Sequence, residues 1–186
     1  GNLGAGYGAT VGKLKGIQYS MKGGTGTASI TLNNGLTVGA LVVVNAVGDV
    51  LDPSTGELLA GTLSDDRETL ANARTFIREH NIPDTHESGT NTTIAIVATN
   101  AKLTKPQVTK IAQMAQDGIA RSIYPSHTTR DGDAVFSLAT GTLELNSDVS
   151  VIGSLAADMI VESILRALNS AVSLKGIPSI NDLKND

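Results

Sequence analysis

The sequence predicts an α/β domain with helices layered on a sheet. Three features lead there: short β-branched runs bounded by turn residues, two long segments with apolar residues at helical spacing, and a nearly aromatic-free composition. Only 3% of the 186 residues are aromatic and none is Trp, against 40% hydrophobic overall, so small and β-branched side chains must fill the interior. Tight packing of helix on sheet follows from that choice of side chains.

The elements read in order. Ala28 to Leu32 and Leu36 to Val44 flank Asn33-Asn34-Gly35, the pattern of two strands joined by a tight turn. Ala40 to Val44 is apolar at every position, as in a strand covered on both faces, and Asn45 stands at its end. From Asp52-Pro53-Ser54-Thr55-Gly56 the chain becomes polar, with a helix expected from about Asp65 to His80 and an exposed polar tail from Thr85 to Asn91. The run TTIAIVAT from Thr92 to Thr99 is again a strand. Thr104 is a candidate cap, with Pro106 in the first turn of a helix running to about Ile123 and placing Val108, Ile111, Ala112, Ala115 and Ile119 on one face. A strand over Ala134 to Thr140 and a helix over Val151 to Val172, with Met159, Ile160, Ile164, Leu165 and Leu168 at helical spacing, complete the reading. The expected core is Val42, Val43, Ile94, Ile96, Val97, Ile111 and Phe136.

Length and charge narrow the function. The chain suits one domain. A net charge of -4, without clustered Lys and Arg, offers no surface for a phosphate backbone, so nucleic acid is not an expected partner. No apolar run approaches the roughly 20 residues that span a bilayer. The absence of cysteine excludes disulfides and thiolate chemistry and fits a cytoplasmic protein. The chain opens on Gly1 rather than Met, so its start is expected to lie upstream.

Few residues stand out as chemistry. Gly4-Ala5-Gly6-Tyr7-Gly8 and Gly23-Gly24-Thr25-Gly26 invite a phosphate-loop reading, but Gly12-Lys13 has Tyr7 where a phosphate loop needs Gly, and Leu14 where it needs Ser or Thr. Close backbone approach is the simpler role for these glycines. His80, His86 and His127 have no metal-binding spacing, and a surface or structural role is favoured for His127. Asp131-Gly132-Asp133 can aim two acids into one pocket, although spacing alone favours an ordinary Asp-Gly turn. No cofactor or metal is expected.

Taken together, the stretch from Asn91 to Gly141 says more. Its Asn-Thr-Thr-Ile start, Ala-Thr-Asn strand end and His-Thr-x-x-Asp-Gly-Asp run resemble, in this order, the autoproteolytic DmpA-type L-aminopeptidase/D-esterase family, nearest its nylon-oligomer hydrolase branch. GAGYGATVGKLKG, MKGGTGTAS and VGALVVVNAVGDVLDPSTG upstream resemble it too. The resemblance implies a four-layer αββα sandwich, layered like N-terminal nucleophile (Ntn) hydrolases but connected differently. It also implies one self-cleavage, here between Asn91 and Thr92. The single catalytic domain 1–186 then comprises the C-terminal part of an α piece (1–91, with a linker at about 52–91) and a β piece (92–186) that stay together. The family carries a further stretch before the glycine-rich start, including a Tyr of the site, and the resemblance implies a homo-oligomer, a tetramer.

By the same resemblance Thr92 is the nucleophile, Asp131 and Asp133 are the acid pair beside it, Asn45 is an oxyanion donor, and Lys13 is the basic residue, with Lys22 in competition. The implied mechanism is attack of the Thr92 hydroxyl on the preceding carbonyl, then hydrolysis of the ester. The freed α-amine, with an ordinary pKa of about 7.7 to 8.0, would serve as base for the same hydroxyl. Asp131 and Asp133 would orient the Thr92 ammonium and hydroxyl. Expected substrates are peptides or other amides. An acyltransferase of the ornithine acetyltransferase type and a non-cleaving binding member are the alternatives.

Overall fold

The computed structural model describes residues 1–79, 91–144 and 148–183. Its strands are β1 (Thr10–Val11), β2 (Met21–Lys22), β3 (Gly24–Thr31), β4 (Thr37–Val44), β5 (Asp49–Leu51), β6 (Leu58–Ala60), β7 (Ile94–Ala101), β8 (Ile123–Tyr124) and β9 (Ala134–Leu143); its α-helices are α1 (Ala73–Arg78), α2 (Lys105–Ser122), α3 (Val149–Asn169) and α4 (Ile180–Leu183). The main sheet has the order β3-β4-β7-β9. The expected hairpin is its antiparallel β3–β4 pair, and β7 runs antiparallel to β4 but parallel to β9. A parallel pair needs a crossover, and α2 supplies it. The Thr104 capping box, with the Gln107 side chain accepting from Thr104 N, starts α2 where the sequence placed it.

Both long helices lie on one face of this sheet. Val38, Ala40, Val42, Val44, Ala95 and Val97 point into that layer and meet Ile111, Ala115, Ile119, Ile152, Ile160, Ile164 and Leu168. The approach is close: a Cβ on Gly26 would lie 2.0 Å from the Ser163 carbonyl oxygen, so the glycine lets α3 rest directly on β3.

The opposite face carries Leu41, Ile94, Ile96, Phe136 and Leu138, all exposed. Here the expected core is corrected. Val42, Val97 and Ile111 are buried and Val43 is half-buried, but Ile94, Ile96 and Phe136 are not covered by the described residues. Strand alternation explains it, since even-numbered residues of β7 face away from the helices. Among the described residues there is one helical layer on one four-stranded sheet, with a three-stranded β6-β5-β8 sheet and a two-stranded β1-β2 sheet besides.

The segment after β5 is more ordered than a linker. Asp49 holds it: one carboxylate oxygen accepts from Thr62 N at 2.7 Å, the other from Ala73 N at 2.6 Å. Burial raises the Asp49 pKa, and those hydrogen bonds oppose the rise. The helix expected from Asp65 shrinks to α1, because Arg67 and Asn72 adopt left-handed backbone and Asn72 caps Arg74 N. His80 and the tail from Thr85 to residue 90 lie outside the described residues, whereas Asn91 is buried rather than exposed.

Candidate active site

The site forms where β4 ends and β7 is about to begin. These strands are antiparallel neighbours, so Asn45, just past β4, comes level with Thr92, two residues before β7. The Thr92 N–H donates to the Asn45 carbonyl at 3.0 Å. On the other side, Asn91 pairs with Asp131 ahead of β9, and the Gly132 N–H donates to the Asn91 carbonyl at 2.8 Å. The Asn91–Thr92 peptide group is thus held at both its N–H and its C=O. The Thr92 hydroxyl donates to that same Asn91 oxygen at 2.7 Å.

Asn45 has a fixed orientation. Its Oδ1 accepts from Thr10 N at 3.0 Å and from Lys13 Nζ at 2.9 Å, and since both partners only donate, the atom facing them is the oxygen. Lys13 Nζ also reaches the Asn45 carbonyl at 3.1 Å. Burial lowers the Lys13 pKa to about 8, with the Asp131 carboxylate acting in the opposite direction. Lys22 is engaged elsewhere: its ammonium donates to the Tyr7 and Ala9 carbonyls at 2.9 and 2.7 Å, and burial lowers its pKa also. Of the two lysines, Lys13 is the one at Asn45.

The two acids brace the backbone around the threonine. Asp133 Oδ1 accepts from Thr93 N at 2.8 Å. Asp131 Oδ1 accepts from Val47 N at 3.4 Å, and its Oδ2 from the Thr128 hydroxyl at 2.6 Å. The Thr92 hydroxyl is therefore engaged with Asn91 O, while the carboxylates accept from main-chain N–H groups and from the Thr128 hydroxyl. The reason is pairing: residues 91–93 and 131–134 run side by side, which aims the carboxylates at neighbouring peptide groups.

All five residues carried over by resemblance converge here. Three contributors were missed. His127 donates its main-chain N–H to Asp133 Oδ2 at 3.2 Å and sets Nδ1 3.1 Å from the same oxygen. Thr128 holds Asp131, and Gly132 N holds the Asn91 carbonyl. The His-Thr-x-x-Asp-Gly-Asp spacing was the available signal, since a turn of that length folds the first two residues back on the acids.

The profile of peptidase family S58 matches residues 1–180. The chain belongs to peptidase family S58. An uncharacterized aminopeptidase of Mycobacterium leprae (strain TN) is 41% identical over 96% of this S58 chain and 51% of its own length. A 6-aminohexanoate-oligomer endohydrolase of Agromyces sp. (strain KY5R) is 26% identical over 90% of the chain and 50% of itself. Among solved structures, a Burkholderia sp. beta-aminopeptidase matches with a TM-score of 0.54 at 26% identity, covering 88% of this chain and 44% of that one. The L-aminopeptidase D-Ala-esterase/amidase of Ochrobactrum anthropi, a variant of the Ntn hydrolase fold, matches with a TM-score of 0.53 at 24% identity, over 83% and 42%. The S58 chain spans about half the length of the curated relatives it matches, and its fold is that of the Ntn hydrolase aminopeptidases. No helix among its described residues is long and apolar enough to cross a membrane.

Proposed function

We propose that this chain is the nucleophile-bearing part of an amide-bond hydrolase that cuts itself between Asn91 and Thr92 and then works through the Thr92 amine and hydroxyl. The observation that carries this reading is the 2.7 Å contact of the Thr92 hydroxyl with the Asn91 carbonyl, on a peptide group fixed from both sides. Positioning of this kind turns attack on the carbonyl into an intramolecular step.

In the self-cleavage, Thr92 Oγ bonds to the Asn91 carbonyl carbon, its proton passes to a base, and the C–N bond breaks as the Thr92 nitrogen takes a proton. Lys13, neutral in part near pH 8 and 3.1 Å from the Asn45 carbonyl that accepts the Thr92 N–H, is the group assigned as that base. Water then hydrolyses the ester and returns the proton to Oγ. The freed Thr92 amine is left beside the Asn45 carbonyl and takes over as base for the hydroxyl in turnover. Asn45 Nδ2, turned away from Thr10 and Lys13, is the donor for the substrate's oxyanion, a contact worth about 3 to 4 kcal/mol of barrier. Asp131 and Asp133 keep the cut terminus in register. The two pieces stay together because β7, beyond the cut, pairs with β4, before it.

The names of the relatives point to amino-terminal peptide bonds or linear amides such as 6-aminohexanoate oligomers as substrates. The four-layer sandwich belongs to the same reading, with a second sheet over the apolar face of Leu41, Ile94, Ile96, Phe136 and Leu138. Intact-mass spectrometry tests the proposal directly. Denatured protein should give fragments 1–91 and 92–186, while Thr92→Ala should give one chain without activity on aminoacyl anilides or 6-aminohexanoate oligomers. A single uncut wild-type chain with full hydrolase activity would sink it.

A further inference from the structure

We propose that the Gly132 main-chain N–H is the oxyanion donor of the self-cleavage step, a role separate from that of Asn45 in turnover. The inference rests on the self-cleavage reading and adds a residue to it. The carbonyl that must become an oxyanion is that of Asn91, and among the described residues two donors reach its oxygen: the Thr92 hydroxyl at 2.7 Å and the Gly132 N–H at 2.8 Å. The hydroxyl cannot serve through the step, because its proton leaves as Oγ bonds to the carbon. The Gly132 N–H remains. Asn45 meets the opposite edge of this peptide group, where its main-chain oxygen takes the Thr92 N–H. Carbonyl and N–H of a trans peptide point in opposite directions, so a donor on the Asn45 side does not address the Asn91 oxygen.

The surrounding residues read as support for that one N–H. Asp131 is tied to Val47 N and Thr128, Asp133 to Thr93 N and His127, and Ala134 N donates to the Thr93 carbonyl at 3.1 Å. Both neighbours of Gly132 are therefore pinned, and its amide is held in place before any charge develops. The residue is glycine for a steric reason: a Cβ there would lie 2.6 Å from Thr92 Oγ1, the attacking atom. The Asp-Gly-Asp motif thus combines two braces with one donor that tolerates no side chain.

The chemistry balances without a further reagent. Electron density from the new Oγ–C bond moves onto the Asn91 oxygen, where Gly132 N–H stabilises it. It returns to re-form the carbonyl as the C–N bond breaks, the Thr92 nitrogen leaving as an amine with the proton taken from Oγ. Water completes the hydrolysis.

The test replaces the N–H alone. Cell-free translation with glycolic acid at position 132 converts the Asp131–Gly132 amide to an ester, removing the donor while keeping the chain's shape. Cutting at Asn91–Thr92 is followed by mass, which separates these fragments from any break at the new ester. Loss of one preorganised donor should slow the cut about 10²- to 10³-fold. In the uncut Thr92→Ala background, the infrared band of a ¹³C-labelled Asn91 carbonyl should move to higher frequency with the ester, which checks the contact in a folded chain. Wild-type chain that cuts while the ester variant cuts at the same rate, or an unshifted carbonyl band, overturns the Gly132 assignment alone. A wild-type chain that never cuts overturns the self-cleavage reading and this assignment together.

Discussion

The Lys13 ammonium lies 2.9 Å from Asn45 Oδ1 and 3.1 Å from the Asn45 carbonyl oxygen, which also accepts the Thr92 N–H. Burial holds this lysine near pKa 8, so it loses its proton where an ordinary lysine keeps it. In the proposed self-cleavage Thr92 has no free amine, so the pH dependence of that step isolates Lys13 from the α-amine assigned to turnover. Cutting should accelerate from pH 7 to 9 with a midpoint near 8. Lys13→Arg stays charged throughout this range and should cut at least about 100-fold more slowly, as should Lys13→Met. Time courses by mass across pH decide it, and a fast Arg variant would make the residue a fixed cation instead of a base.

The same lysine makes stability depend on pH. Its folded-state pKa lies below the unfolded value of 10.5, so between about 8 and 10.5 the unfolded chain binds more protons and stability rises with pH. Below that window the cost of burying the charge is fully present. In the uncut Thr92→Ala background, Lys13→Met should be more stable at pH 7, by up to about 3 kcal/mol, with the gap closing towards pH 10.5. Urea melts at pH 7 and pH 10 provide the check. A gap that does not depend on pH would mean the effect comes from packing.

His127 is held in left-handed backbone, φ 54°, with its N–H and its ring nitrogen on one oxygen of Asp133. The other oxygen of that carboxylate holds Thr93 N, so His127 is linked through Asp133 to the residue that follows Thr92. His127→Leu should slow self-cleavage about tenfold and cost about 1 kcal/mol of stability, since a donor to a carboxylate is lost and leucine is strained at this φ. His127→Asn tolerates the left-handed backbone and keeps a donor, and should recover part of the rate. Equal rates for all three would confine the histidine to a surface role.

Much of this was legible in the sequence because local patterns are strong where packing agrees with them. The hairpin, the Thr104 cap, the α2 face and the long α3 follow from turn residues and apolar spacing, and the structure keeps them. Ile94, Ile96 and Phe136 were misjudged because an apolar strand face shows that something should cover it without showing what. The helix expected from Asp65 failed because a contact distant in sequence, Asp49 to Thr62 and Ala73, fixes the chain there. At the site, side-chain chemistry could be carried over by resemblance. A main-chain donor such as Gly132 N leaves no mark in composition, and only strand pairing reveals it.

Thr92 and Thr93 are adjacent hydroxyls with opposite predicted fates. Thr92 sits on the open face of the sheet with its hydroxyl on Asn91 O, while Thr93 is fully buried and its hydroxyl has no partner among the described residues. A buried hydroxyl without a partner costs free energy that a methyl group of the same shape does not. Thr93→Val should therefore leave cutting at Asn91–Thr92 intact and change stability by between zero and about +1 kcal/mol, because Asp133 grips the Thr93 N–H and not its side chain. Thr92→Val has the same change in composition but removes the attacking oxygen, and should give a single uncut chain. Thr92→Ser keeps the oxygen and should still cut, more slowly, since the missing methyl frees its rotamer. Mass spectra and melting curves of the three variants, taken together, separate a nucleophile at 92 from one at 93: cutting by Thr92→Val with none by Thr93→Val would move the nucleophile one residue along and undo the roles given to Asn91, Gly132 and Asn45.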